Sequence, residues 1–112
     1  MQLASTQEHV PELARAYAKK LRCELGDEIV EVILFGSWAR GEATEDSDID
    51  VLVVIAHRQW HTYRQVCDLA GEFVIEYGVL IAPAVYDAKT WSVHVRQERP
   101  LARAVMTEGR KL

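Results

Sequence analysis

Two runs of β-branched and aliphatic residues, Ile29–Phe35 and Ile49–Ile55, stand on either side of a polar stretch that carries Gly36 and Gly41. This arrangement limits the fold more than any other feature of the chain. The first run is bounded by Gly26-Asp27 and Gly36-Ser37, and its composition is that of a largely buried strand. The second has the same character, except that Asp50 alternates against apolar neighbours near its start. Two consecutive strands joined by a polar loop therefore form the centre of the molecule.

The flanking segments are helical in pattern. Val10, Leu13, Ala14, Tyr17, Leu21 and Leu25 recur at the three-and-four spacing of one helical face and stop at Gly26. Pro11 suits an opening turn, so this helix is expected to begin between Ser5 and Val10. Tyr63, Val66, Cys67, Ala70, Phe73, Val74 and Tyr77 mark a second helix over 60–77, closed by Gly78. A third strand follows over 79–86, and Pro83 within it predicts a place at the sheet's rim. Asp87 can cap a short helix reaching about Val95, and Pro100 can open another that ends at Gly109. The order α-β-β-α-β-α-α specifies an α+β fold with a small mixed sheet and helices packed against it, read as one domain over residues 1–112.

Composition excludes several classes. Lys and Arg number 13 against 17 Asp and Glu, and the net charge of −4 argues against a direct nucleic-acid binder, although a local basic groove can hide in an acidic total. Cys23 and Cys67 form no metal-binding or disulfide pattern and read as buried thiols. The amino-terminal residues resemble no export signal and no apolar stretch approaches a membrane span, so a cytoplasmic protein without a membrane partner is expected.

The chemistry concentrates in the polar loop and the residues bounding it. Asp48 and Asp50, two apart at a strand entry, leave the same face, and paired carboxylates can share hard cations such as Mg²⁺. Mg²⁺ takes one or two protein carboxylates together with phosphate oxygens and water, which suits a nucleoside triphosphate. Gly36 lets the backbone turn and approach a ligand closely. Ser37 offers a hydroxyl and an amide suited to phosphate at the start of a helical turn. The alternative for the aspartates is a pair of solvated residues that merely cap a turn. Arg40 either adds positive charge near the phosphates or forms a surface ion pair with Glu42 or Glu45.

Gly36-Ser37, ten intervening residues, and Asp48-Ile49-Asp50 together resemble the signature of the DNA polymerase beta-like nucleotidyltransferases. The longer string Gly-Ser-x-Ala-Arg-Gly followed by Ser47-Asp48-x-Asp50 resembles their minimal branch, and the closing Thr107-Glu108-Gly109 extends the likeness weakly. The resemblance implies that fold and a two-metal transfer of a nucleoside monophosphate from ATP. Asp48 and Asp50 would be the catalytic metal ligands for Mg²⁺, with Gly36, Ser37, Arg40 and Ser47 holding the nucleotide. It also implies an all-helical HEPN protein as partner, with this chain as antitoxin. The acceptor would be a hydroxyl of that toxin, and homo- or hetero-oligomers are compatible with so small a chain. A binding-only antitoxin and a small-molecule nucleotidyltransferase are the alternatives.

The pattern departs from the family at one place. The expected third carboxylate is absent from Val79–Tyr86, and the nearest acids are Glu76 and Asp87. Other polar and aromatic residues read more plainly. His57 and His61 are expected in solvent, Trp38 is expected to pack within the loop, and Trp60 and Trp91 are expected to pack under helices. Glu8, Glu12, Lys19, Lys20 and Arg22 describe a solvated helix face.

Overall fold

The computed structural model describes residues 2–44 and 46–112, with side chains from Glu12 onward. Helix α1 spans Gln2–Leu25, followed by a 3-10 turn at Gly26–Glu28 and strand β1 at Ile29–Phe35. One helical turn, α2 (Ser37–Arg40), precedes β2 (Ile49–Ile55), and α3 (Trp60–Tyr77) leads to β3 (Ile81–Asp87). Helices α4 (Ala88–Arg96) and α5 (Pro100–Glu108) and the short strand β4 (Arg110–Lys111) complete the order.

The sheet runs β3-β2-β1-β4. Strands β1 and β2 are antiparallel, with Ile33 opposite Leu52 and Phe35 opposite Asp50. The crossover through α3 makes β3 parallel to β2, with Asp50 opposite Ala82 and Ile55 opposite Asp87. The mixed α+β sheet expected from the sequence is thus present, and β3 lies at its edge. Pro83 is tolerated there because only one side of the strand pairs. β4 adds to β1 from the other side, with Lys111 opposite Ile33, a pairing too short to leave a sequence signal.

Alternation along the strands sends side chains to two faces. Val32, Leu34, Val51 and Val53 face α1 and α3, where they bury Tyr17, Leu21, Val66 and Phe73. The Tyr17 ring meets Phe73 edge-on at 5.6 Å, and its hydroxyl donates to the Val66 carbonyl at 2.8 Å, which satisfies a polar group that burial would otherwise penalise. Burial pushes the ionisation of this hydroxyl up. Ile33, Leu52 and Val54 face the opposite way, against Trp91, Ala102 and Val105 of α4 and α5.

Helix ends follow their caps. Gly78 closes α3 in a left-handed conformation and donates to the Val74 carbonyl at 2.8 Å. The Asp87 carboxylate accepts from the Thr90 amide at 3.0 Å at the start of α4, which holds its carboxyl below the ordinary range. Pro100 opens α5 as expected.

Three expectations are corrected. Helix α1 begins at Gln2, so Pro11 lies inside it, where the loss of one backbone hydrogen bond does not end the helix. Cys23 is exposed and Cys67 half-buried rather than both buried, because helical spacing turns Cys23 away from the face that holds Leu21. Trp60 is 71% exposed and stacks on Tyr63, 5.4 Å between ring centroids, since the first turn of α3 projects beyond the sheet. Trp38 and Trp91 are buried as anticipated, and His57 and His61 are exposed. The Glu8 and Val10 side chains and Glu45 lie outside the described residues.

Candidate active site

Where β1 ends, Gly36 takes φ 79° and ψ −158°, a conformation that side chains resist. A Cβ there would fall onto Oδ2 of Asp50 and stand 3.1 Å from its Cγ, so the turn and the carboxylate are in direct apposition. Ser37 starts the single helical turn, closed by the Arg40 amide donating to the Gly36 carbonyl at 3.1 Å and stopped by Gly41 at φ 75°. Trp38 is 6% exposed, and its indole N–H donates to the Ser47 carbonyl at 3.1 Å, drawing the two ends of the loop together. The Ser47 hydroxyl is engaged locally, accepting from the Thr44 amide at 2.9 Å.

Asp48 stands exposed one residue ahead of β2, and Asp50 is half-buried within it. Burial, then the Asp48 carboxylate, then Glu108 raise the proton affinity of Asp50, while Arg40 opposes them. Such a like-charged pair is relieved by a cation. Among the described residues no group of three or more His, Cys, Asp or Glu could hold a metal. Two hard carboxylates, Asp48 and Asp50, without a third protein ligand would suit a hard divalent cation such as Mg²⁺ that also takes phosphate oxygens and water.

The loop is braced from a distant part of the chain. Glu108, at the end of α5, accepts from the Gly36 amide at 2.8 Å and from Arg40 Nη1 at 3.0 Å, and its side chain is only 18% exposed. Arg40 also pairs with Glu42 at 2.9 Å. First that hydrogen bond and then the one to Glu108 hold the guanidinium firmly charged. Glu108 lies 72 positions from Gly36, and the weak family likeness of Thr107-Glu108-Gly109 gives no sign of this contact.

Neither acid weighed for the missing third carboxylate enters the site. Asp87 pairs in register with Ile55, five residues along β2 from Asp50, about 16 Å away at the rise of a strand, and it caps α4. Glu76, near the end of α3, belongs to a helix packed on the opposite face of the sheet, and among the described residues it forms no cluster with Asp48 and Asp50. The β3 residue beside Asp50, and therefore on its face, is Ala82.

A strained glycine-serine turn set against a paired-carboxylate strand, on a small mixed sheet, defines a phosphoryl-transfer protein of the nucleotidyltransferase class. The nucleotidyltransferase domain family matches residues 15–104, and the chain belongs to that family and so to the transferases. Relatives in Methanocaldococcus jannaschii include the "Putative protein adenylyltransferase" MJ1305, 32% identical over 81% of this chain and 63% of its own length. MJ0604, of the same name, is 34% identical over 88% of this chain and 92% of its own. The chain therefore spans a little under two thirds of MJ1305. The protein adenylyltransferase MntA of Thermococcus cleftensis is 46% identical over 43% of this chain and 46% of its own length. The fold is shared with a toxin-antitoxin crystallised with AMP-PNP, at a TM-score of 0.58 and 23% identity over 86% of this chain and 69% of that one.

Proposed function

We propose that this chain transfers AMP from ATP to a hydroxyl of a partner protein, and that the partner is a toxin silenced by the transfer. The observation that carries the reading is the apposition of Gly36 to Asp50, which places the Gly36-Ser37 turn directly against one of the paired carboxylates. The names of the relatives, protein adenylyltransferases, support the nucleotide and the class of acceptor.

In this reading Gly36 and Ser37 receive the β- and γ-phosphates, and Arg40 adds positive charge beside them. Asp48 and Asp50 would hold Mg²⁺, which supplies charge neutralisation and alignment of the triphosphate. The acceptor oxygen bonds to the α-phosphorus, the bond from that phosphorus to the bridging oxygen breaks, pyrophosphate leaves, and the hydroxyl proton passes to solvent. Trp38 and Ser47 keep the loop closed over the strand entry, and Glu108 fixes the Gly36 peptide and Arg40.

A second reading, a binding-only antitoxin, is favoured by one observation: Ala82 stands where an acid beside Asp50 would take the acceptor's proton. Incubation with labelled ATP, Mg²⁺ and the protein encoded by the neighbouring reading frame distinguishes the two. The expected result is one added AMP on the partner by intact mass, lost in Asp48→Ala/Asp50→Ala. A tight complex that never gains mass would sink the transfer reading in favour of the second.

A further inference from the structure

The end of the sheet opposite the carboxylates carries a second concavity that the transfer chemistry does not use. Strands β2 and β3 are parallel, so their carboxyl ends lie together, and the first turns of α3 and α4 rise on either side. Crevices outside the carboxyl ends of parallel strands are recurrent ligand sites. Here two adjoining hollows of about 550 and 610 Å³ share Arg58, Asp87 and Thr90.

One hollow is aromatic, lined by Trp60, Tyr63 and Tyr86. Trp60 stacks on Tyr63 with 17° between ring planes, and at 71% exposure it leaves most of the indole to solvent. The other hollow is basic, with Arg58, Lys89 and Arg99. Among the described residues none of these three cations is closed into a salt bridge, unlike Arg40 at the opposite end. Asp87 is the single carboxylate lining either hollow; it caps Thr90 and also feels the charge of Arg58. Arg99 is set in place by a tight turn in which Glu98 takes φ 51° and the Arg99 amide donates to the His94 carbonyl at 3.1 Å. A chain of net charge −4 therefore gathers beside an exposed aromatic stack three cations held in no salt bridge among the described residues, of which Arg99 donates to Gln97 at 3.0 Å and Arg58 acts on Asp87 through its charge alone.

Exposed aromatic faces next to a cationic groove form the recognition surface for unpaired bases joined by phosphates. An acidic peptide would satisfy the cations but gives no use to a flat, solvent-facing indole. We propose that this groove binds single-stranded nucleic acid, with Trp60 as a stacking platform and Arg58, Lys89 and Arg99 as phosphate contacts. The site is separate from Asp48 and Asp50 and does not depend on the transfer reading.

The probe is a single-stranded RNA of about eight nucleotides, followed by intrinsic fluorescence and anisotropy. Trp38 and Trp91 are buried at 6% and 8% exposure, so quenching by bases reports chiefly on Trp60. Saturable quenching at low salt is expected. Trp60→Ala should weaken binding about tenfold by anisotropy, with Trp60→Phe keeping most of it. Arg58→Ala/Lys89→Ala/Arg99→Ala should lower the slope of log affinity against log salt by about 2. Asp48→Ala/Asp50→Ala should leave binding intact. All the altered groove positions are exposed, so thermal melting should not change. Absence of saturable binding at low salt overturns the proposal. So does equal binding by AMP alone, or displacement of the RNA by a polyglutamate peptide that shows the same dependence on Trp60.

Discussion

The two faces of the sheet are built to different standards. The face under α1 and α3 is closed by interlocked side chains, Tyr17, Leu21, Val66 and Phe73 among them. The other is covered by shorter helices, α4 and α5, whose buried contribution is Trp91, Ala102 and Val105. Asp50 shares that thinner face with Leu52 and Val54, on the same strand. A carboxylate half-buried beside another is tolerated where helices do not close over it, and the thicker face supplies the stability that offsets it.

The largest effect expected from this division is a functional loss without a structural one. Asp50→Ala should lower transfer on the order of a thousandfold, several kcal/mol of transition-state stabilisation. Removal of a carboxylate raised by burial and by Asp48 should leave the melting temperature unchanged or higher. A lowered melting temperature would mean that Asp50 belongs to the scaffold. The converse holds opposite: Leu21→Ala, in the closed face, should cost about 2–5 kcal/mol in denaturant unfolding. Val105→Ala, in the thinner face, should cost roughly 1.5 kcal/mol. Equal costs would erase the contrast between the faces.

Glu108 tests the boundary between scaffold and site. Glu108→Ala leaves the Gly36 amide without its acceptor and should cost about 1–2 kcal/mol while weakening ATP binding in titration. Glu108→Gln, which keeps an acceptor oxygen, should recover the stability. If ATP binds equally well to both variants, the brace serves the fold alone.

The smallest effect is in pH. Asp50 holds its proton more tightly folded than unfolded, so the folded state binds more protons over the window above the ordinary value of 3.8. Metal-free stability should therefore gain from this group as pH falls through its folded value and lose as pH rises. Asp50→Asn should flatten that limb in melts followed across the acid range. Asp87 has the opposite sign: its cap contributes above the unfolded value and is lost as pH falls through the lowered folded one.

Much of this was legible from local pattern. The two central strands, the helices ending at Gly78 and Gly109 and the edge strand with Pro83 follow from glycine placement and apolar periodicity, whereas the joining of Gly36-Ser37 to Asp50 comes from the family resemblance of the motif. What escaped depends on distance or on where an element ends. Trp60 fits the helical count but sits in a turn that overhangs the sheet, so periodicity alone buries it wrongly. β4 pairs through two residues, Arg110 and Lys111, that carry no strand signal. Glu108 belongs to the closing Thr107-Glu108-Gly109 string, whose weak family likeness assigns it no role until the antiparallel pairing of β4 turns the end of α5 toward Gly36.

That long-range brace also bears on the order in which the protein is made. Gly36, Asp48 and Asp50 leave the ribosome well before Glu108, and while the intervening helices remain unmade the Gly36 amide lacks its carboxylate partner. The braced Gly36 turn is then a late product of synthesis. A nascent chain carrying the complete motif stays unbraced until α5 has docked.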